Sequence, residues 1–237
     1  MYSSAIAEHY DLLHAGGGKD YVAEAAELAA TIRTAHPGAR TLLDVACGTA
    51  EHARLLVEHH GFRADALDVQ PDFVRIARTK LRRGAVFQAD MASFELQSRY
   101  DAILCLFSSI GYLQTLESVR RTLVGFRSHL NPGGVILVEP WFPPGALVGG
   151  RVSVKTVETP SVSICRMSVP EISGALSYLR FHYLVGRAGT IEHIHETHTL
   201  GLFTTEELLQ CFADAKLDAT FDPSGPYGRG LFIARAA

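Results

Sequence analysis

Leu42-Leu43-Asp44-Val45-Ala46-Cys47-Gly48-Thr49-Ala50-Glu51-His52 sets an apolar run of strand length against a glycine turn and the start of a helical pattern. The run predicts a strand over 41–46 and a helix over 50–60, with Asp44 near the strand's carboxyl end. In open parallel sheets ligands sit beyond the carboxyl ends of the strands, where the strand order reverses. A glycine there accepts positive φ and lets backbone approach a ligand closely. Asp68 follows Gly48 by 20 residues, at the tip of a second predicted strand over 63–68. That is the spacing at which a carboxylate reaches the two hydroxyls of a ribose.

Outward from this stretch the alternation continues. A helix is expected over 71–82, strands over 85–88 and 100–106, and a helix over 115–130 that stops at Asn131-Pro132-Gly133-Gly134. A fifth strand follows over 135–139. Near-continuous apolar strands between helices indicate a parallel sheet covered on both faces, so the fold class is α/β, doubly wound. From 141 to 200 the rhythm breaks. Four segments, 152–157, 162–169, 176–184 and 190–199, are rich in β-branched and aromatic residues and predict an antiparallel β insert after strand five. The frame resumes with a helix from Thr204, opened by Thr-x-Glu-Glu, and two strands over 217–221 and 231–234. One domain is expected over 1–237, with a helical lid over 1–36, the α/β frame over 37–140 and 201–237, and the insert over 141–200. Gly16-Gly17-Gly18 reads as the hinge of the lid, which carries Tyr10 before it and Lys19 and Tyr21 after it.

Composition narrows the partners. The chain has 22 Lys and Arg against 25 Asp and Glu, a net charge of −3, and no polybasic run. A nucleic-acid acceptor or a membrane partner is therefore not expected. The 4 cysteines form no C-x-x-C pair, and no apolar stretch approaches a membrane span or a secretory leader. A cytoplasmic protein is expected.

The turn also discriminates between cofactors. A dinucleotide needs G-x-G-x-x-G to cradle its pyrophosphate. Here Ala46 and Ala50 flank a lone Gly48. The segment instead resembles motif I of the class I S-adenosylmethionine-dependent methyltransferases. Gln88-Ala89-Asp90-Met91 is similar to their adenine-binding motif, and Asn131-Pro132-Gly133-Gly134 to their turn before strand five. Gly18-Lys19-Asp20-Tyr21, Phe107-Ser108-Ser109-Ile110-Gly111-Tyr112, Val138-Glu139-Pro140-Trp141 and Gly225-Pro226-Tyr227-Gly228-Arg229-Gly230-Leu231-Phe232 are similar to the deoxyaminosugar N,N-dimethyltransferases of macrolide biosynthesis, nearly end to end. Ala50 departs from that pattern, where a third glycine is usual, and the insert diverges most.

The resemblance implies a Rossmann-like methyltransferase sheet and S-adenosyl-L-methionine as cofactor, held by Asp44, Ala46, Gly48, Asp68, Val69, Asp90, Met91, Leu106 and Tyr21. It implies methyl transfer to an amine of a secondary-metabolite intermediate. A nucleotide-linked amino sugar is one acceptor; a non-sugar amine, an O-methylation or a non-catalytic cofactor-binding module is the alternative. Glu139, His193 and Tyr10 are the expected catalytic residues. Trp141, Ser109, Tyr112, His195, His198 and Arg229 are expected to meet the acceptor, Arg229 through a phosphate. No metal is expected: H-E-x-x-H is absent, and on a strand His193 and His195 share one face while His198 takes the other. The other eight histidines, His14 and His52 among them, read as incidental. The exposed β-branched strands of the insert offer a face for a homodimer.

Overall fold

A computed structural model describes residues 4–225 and 228–236, so Pro226 and Tyr227 of the tail motif lie outside the described residues. Five parallel strands, β1 (Thr41–Val45), β2 (Arg63–Asp68), β3 (Val86–Gln88), β4 (Tyr100–Cys105) and β5 (Leu130–Val138), are joined at one edge by β10 (Leu217–Asp222) and β11 (Leu231–Ala236). The sheet order is β10-β11-β5-β4-β1-β2-β3, and β11 runs antiparallel to both its neighbours. From β1 the chain winds outward through β2 and β3, then returns to the other side for β4 and β5. The reversal point falls between β1 and β4, beyond the end of the motif strand.

Successive residues of β1 go to opposite layers. Leu42 joins the core built with α3 (Tyr21–Ala35), α4 (Glu51–His60) and α5 (Pro71–Lys80). Leu43 and Val45 join the core under α6 (Leu116–Ser128) and α7 (Thr205–Asp214). This double coverage is why the strands read as unbroken apolar runs. The helix starts are chemically marked. Asp20 accepts from the N–H groups of Val22 and Ala23 to cap α3, and Thr204 with Glu207 forms the capping box of α7.

Two details differ from the sequence expectation. The helical lid before Gly16 is split into two short helices, α1 (Ser4–Ala7) and α2 (Tyr10–Ala15). Strand β5 begins at Leu130 rather than after the Asn-Pro-Gly-Gly turn, because the turn is absorbed as an irregularity. The register jumps from Tyr100 opposite Leu130 to Ala102 opposite Val135, with Gly133 at φ 76°.

The insert between β5 and α7 is a four-stranded antiparallel sheet, β6 (Ser153–Glu158), β7 (Ser163–Ser173), β8 (Leu176–Arg187) and β9 (Thr190–Gly201), in sequential order. Its inner face packs Val162, Ile164, Phe181, Tyr183 and Val185 against Ile6 and Leu13 of the N-terminal helices. Gly16 and Gly17 are explained by this packing. A Cβ at Gly16 would stand 2.5 Å from Val157 of β6, and one at Gly17 would stand 2.9 Å from the Lys155 ammonium. The expected hinge is a place where the insert presses on the end of α2. No helix among the described residues is long and apolar enough to cross a membrane.

Candidate active site

The loop from β1 to α4 turns through three left-handed residues, Ala46 (φ 54°), Gly48 (φ 55°) and Ala50 (φ 58°). Asp68 holds it: one carboxylate oxygen accepts the Gly48 N–H at 2.8 Å and the other the Gln70 N–H at 2.8 Å. Asp44 lies beneath the loop, 2% exposed, and its Oδ2 has no hydrogen-bond partner. Burial first, and then the charge of Asp68, push its acid dissociation up to about 7.

Asp44 opens into a small recess that also holds Lys19, Tyr21, Cys47, His52 and Leu106. Lys19 Nζ donates to Glu24 at 2.6 Å and stands over the Phe107 ring, 4.2 Å from its centroid. His52 Nε2 meets the same Glu24 oxygen at 2.8 Å. Helix α2 lies across the opening. Thr49 donates to Asp11 at 2.5 Å, Lys80 pairs with Asp11, and Tyr10 sets its ring against Phe73 and His14.

The recess continues into a cavity of about 750 Å³, and Tyr10, Ala46, Gly48, Phe107 and Ser109 line both. Phe107 and Ser108 leave β4 in the left-handed region, at φ 52° and 64°. Two adjacent non-glycine residues there cost about 1–2 kcal/mol each, and such strain persists only where the surroundings over-determine it. They do so here. Glu139 Oε2 accepts the Phe107 N–H at 2.6 Å, and Ser108 donates to the Pro140 carbonyl at 2.7 Å. The other Glu139 oxygen pairs with the Arg229 guanidinium, whose Nε lies 2.9 Å away.

The part of the cavity next to the insert is cationic. Lys155 on β6 and Arg166 on β7 are register partners and both line it, together with Arg229. The ion pairs among the described residues include neither Lys155 nor Arg166, and Arg166 Nε is buried without a partner. The Lys155 ammonium is driven below its ordinary range by burial, then by Arg166 and Arg229. His14, 8% exposed, falls to about 3 through burial and then the charges of Arg166, Lys19, Lys155 and Arg229, so it is neutral at physiological pH. Across the cavity Tyr112 Oη lies 2.7 Å from His198 Nδ1, and His198 Nε2 lies 3.2 Å from Glu196. Trp141 is fixed by its indole N–H, which donates to Ser177 at 2.9 Å.

Most residues singled out from the sequence come together here. Asp44, Ala46, Gly48, Leu106 and Tyr21 line the recess, and Asp68, Val69, Asp90 and Met91 line the adjoining part of the cavity. Tyr10 roofs both, and Ser109, Tyr112, Trp141, His198 and Arg229 line the cavity beyond. Three expectations need correction. His193 and His195 stand on the exposed face of the insert, stacked with His182 and away from the cavity, because the strand period puts them opposite His198. Glu139 is 1% exposed with both oxygens engaged, and it does not line the cavity. Its place is behind the site, holding the β4 exit and Arg229.

Sequence reasoning missed His14, His52, Phe107, Lys155 and Arg166. For His14 a signal was available: it follows Tyr10 by one helical turn, so both present to one side. Lys155 and Arg166 belong to different strands, and only the pairing register brings them face to face.

The family described as "Methyltransferase domain" matches residues 42–134. The chain is 42% identical to the dTDP-3-amino-3,6-dideoxy-alpha-D-glucopyranose N,N-dimethyltransferase of Streptomyces fradiae, over 98% of this chain and 91% of that one. Among solved structures it is similar to DesVI of Streptomyces venezuelae (TM-score 0.93, 35% identity, all of both chains). It is also similar to CalS10, an amino pentose methyltransferase from Micromonospora echinaspora solved with S-adenosylmethionine bound (TM-score 0.87, 32% identity, 100% of this chain and 98% of that one). An acid-tipped sheet with a glycine turn and no pyrophosphate cradle, together with the identity to these proteins along nearly the whole chain, makes this enzyme a member of the S-adenosylmethionine-dependent methyltransferases, in the group of the deoxyaminosugar N,N-dimethyltransferases.

Proposed function

We propose that the enzyme methylates the amine of a nucleotide-linked amino sugar. The observation that carries this reading is the Lys155–Arg166 pair. Like charges directly opposite on antiparallel strands destabilise a sheet, and here no carboxylate among the described ion pairs relieves them. A diphosphate would. It accepts from an arginine fork and an ammonium together, and the buried, unpartnered Arg166 Nε is a donor awaiting such an acceptor. The cations are gathered inside one cavity rather than along an open groove, which suits a small acceptor and not a nucleic acid.

The recess fits the cofactor's amino-acid end. The orphaned oxygen of Asp44 would take the ammonium, and Lys19 stands at the same recess for the carboxylate. Asp68 would offer its remaining lone pairs to the ribose hydroxyls, with Val69, Asp90 and Met91 around the adenine. Bound there, S-adenosylmethionine supplies a methyl group already activated by its sulfonium. The protein's task is then to place an amine lone pair at the joint lined by Tyr10, Gly48, Phe107 and Ser109 and to keep water out. Positioning of that kind supplies roughly 7–11 kcal/mol. Residues 4–20 would act as the lid over this joint, with Asp11 clasped to Lys80 and Thr49.

A methyl-transfer screen tests the reading. Amino-sugar nucleotides should gain one and then two methyl groups by mass, while the same sugars without the nucleotide and aromatic amines should react far more slowly. Preference for a hydroxyl or an unphosphorylated amine would sink it.

The outer face of the insert aligns Val154, Met167, His182 and His195 in one cross-strand row, with Leu184 and Ile191 exposed beside it. We read this face as a homodimer surface, since a second copy would cover it isologously. Leu184→Glu should shift the sedimentation of the protein toward monomer; unchanged sedimentation would remove the dimer from the reading.

A further inference from the structure

We propose that Tyr112, His198 and Glu196 form a proton relay that accepts the acceptor amine's proton through the tyrosine oxygen. The inference rests on the amine-methyltransfer reading above and adds the route by which the proton leaves. An aliphatic ammonium has no lone pair, so one proton must depart before each attack or after it.

The chain is built in one direction. Glu196 and His198 are two residues apart on β9 and share the inner face of the insert. Both are buried, at 8% and 1% exposure. A carboxylate only accepts, so the contact at 3.2 Å places the imidazole hydrogen on His198 Nε2. His198 Nδ1 then carries a lone pair, and at 2.7 Å it receives the single O–H of Tyr112. With that hydrogen committed, the Tyr112 oxygen acts toward the cavity as an acceptor. Tyr112 sits at the end of the 3-10 turn Ser109–Leu113, three residues after Ser109, which lines both recess and cavity.

The transfer balances. The ammonium N–H bond breaks and its electron pair stays on nitrogen. The proton joins the Tyr112 oxygen as the tyrosine's own O–H proton passes to His198 Nδ1. The resulting imidazolium faces the Glu196 carboxylate through Nε2–H. The proton returns along the same chain to water when the product leaves. No other reactant is needed.

The two histidines at the cavity have different surroundings. His14 is ringed by Arg166, Lys19, Lys155 and Arg229, which oppose a further positive charge. His198 has Glu196 behind it, Tyr112 in front and the edge of Phe181 beside it, with Arg166 on that ring and Lys155 and Arg229 on the cavity wall.

The test compares wild type, Tyr112→Phe and Glu196→Gln, saturated with S-adenosylmethionine and a nucleotide-linked amino sugar, between about pH 6 and pH 10, which brackets aliphatic amines. Tyr112→Phe keeps the ring, and cofactor affinity by calorimetry should be unchanged in both variants. At the acid end kcat should fall about 100-fold in Tyr112→Phe and less in Glu196→Gln. Both should recover about tenfold per pH unit, until the amine loses its proton unaided. A merely structural role lowers kcat equally at every pH, so variant profiles parallel to wild type overturn the relay alone. A wild type that loads cofactor yet methylates no amine overturns the function reading and the relay with it.

Discussion

The cofactor recess and the acceptor cavity share five lining residues but are held together by opposite means. In the recess a carboxylate organises backbone: Asp68 takes two N–H groups at 2.8 Å, and the loop follows from one strand-turn-helix segment. In the cavity side chains from the N-terminal helices, the β4 exit, the insert and the tail converge, and two cations oppose each other with no counter-charge in the ion pairs among the described residues. The recess is complete except for one acceptor oxygen. The cavity holds cations whose charge is the basis of the proposed phosphate contact. Local sequence can specify the first kind of site; the second needs a tertiary fold to exist at all.

The largest effect that would break this contrast concerns Asp44. Its folded value is raised from 3.8 to about 7, so the folded state holds the proton more tightly than the unfolded chain. Stability from this group is full below about pH 4 and is lost as the pH rises toward 7, an upper bound of roughly 4 kcal/mol over the span. Denaturant unfolding of the ligand-free protein should show this slope, and Asp44→Asn should flatten it. S-adenosylmethionine, by setting an ammonium beside the carboxylate, should flatten it in wild type. Equal slopes in wild type and Asp44→Asn would mean that the recess holds no orphaned acid.

Next comes the joint between the two regions. Glu139→Gln removes the charge facing a mostly buried Arg229, which costs about 3 kcal/mol of stability when a buried pair is broken. Turnover should fall with it, through the loosened β4 exit, while cofactor affinity holds. Full stability in the variant would return Glu139 to the acceptor side of the site.

Arg166→Gln separates stability from function. Relief of the like-charge pair should leave the fold as stable or raise it by a few tenths of a kcal/mol. The KM for a nucleotide-linked acceptor should rise about tenfold at low salt, and by less at high salt, where screening already weakens the wild-type contact. An unchanged KM would detach the cations from the acceptor.

The smallest effect sharpens the loop. Ala50 is fully buried at φ 58°, a conformation that disfavours a Cβ, so Ala50→Gly should stabilise by about 0.5–1 kcal/mol by thermal unfolding. A loss of stability would mean that the Ala50 methyl is needed by the core more than the backbone is strained.

These regions also differ in how readily the sequence yields them. The strand ends, Asp44, Gly48 and Asp68 are legible because chain-local chemistry dictates them: an apolar run, a turn needing positive φ, and a carboxylate one βα unit later. The insert strands are legible as strands, yet their facing is not enough to build the site. The strand period separates His193 and His195 from His198 within a six-residue run. Which of the two faces meets the cavity is settled only once the insert is packed, when His198 faces Tyr112 and His193 faces outward. Glu139 shows the same limit. An acid at the tip of β5 reads as a group for chemistry, and its two oxygens turn out to be spent on Phe107 and Arg229, which lie 32 residues before it and 90 after.

Periodicity, caps and one glycine turn act over neighbouring residues, so the doubly wound frame, its antiparallel insert and a cofactor without phosphate are already written in the chain. Which histidine meets the cavity, that Glu139 supports rather than reacts, and that Lys155 and Arg166 stand together emerge only on folding. Strand register and the packing of the insert on α2 set those juxtapositions, and both are sums over contacts between residues far apart in the chain.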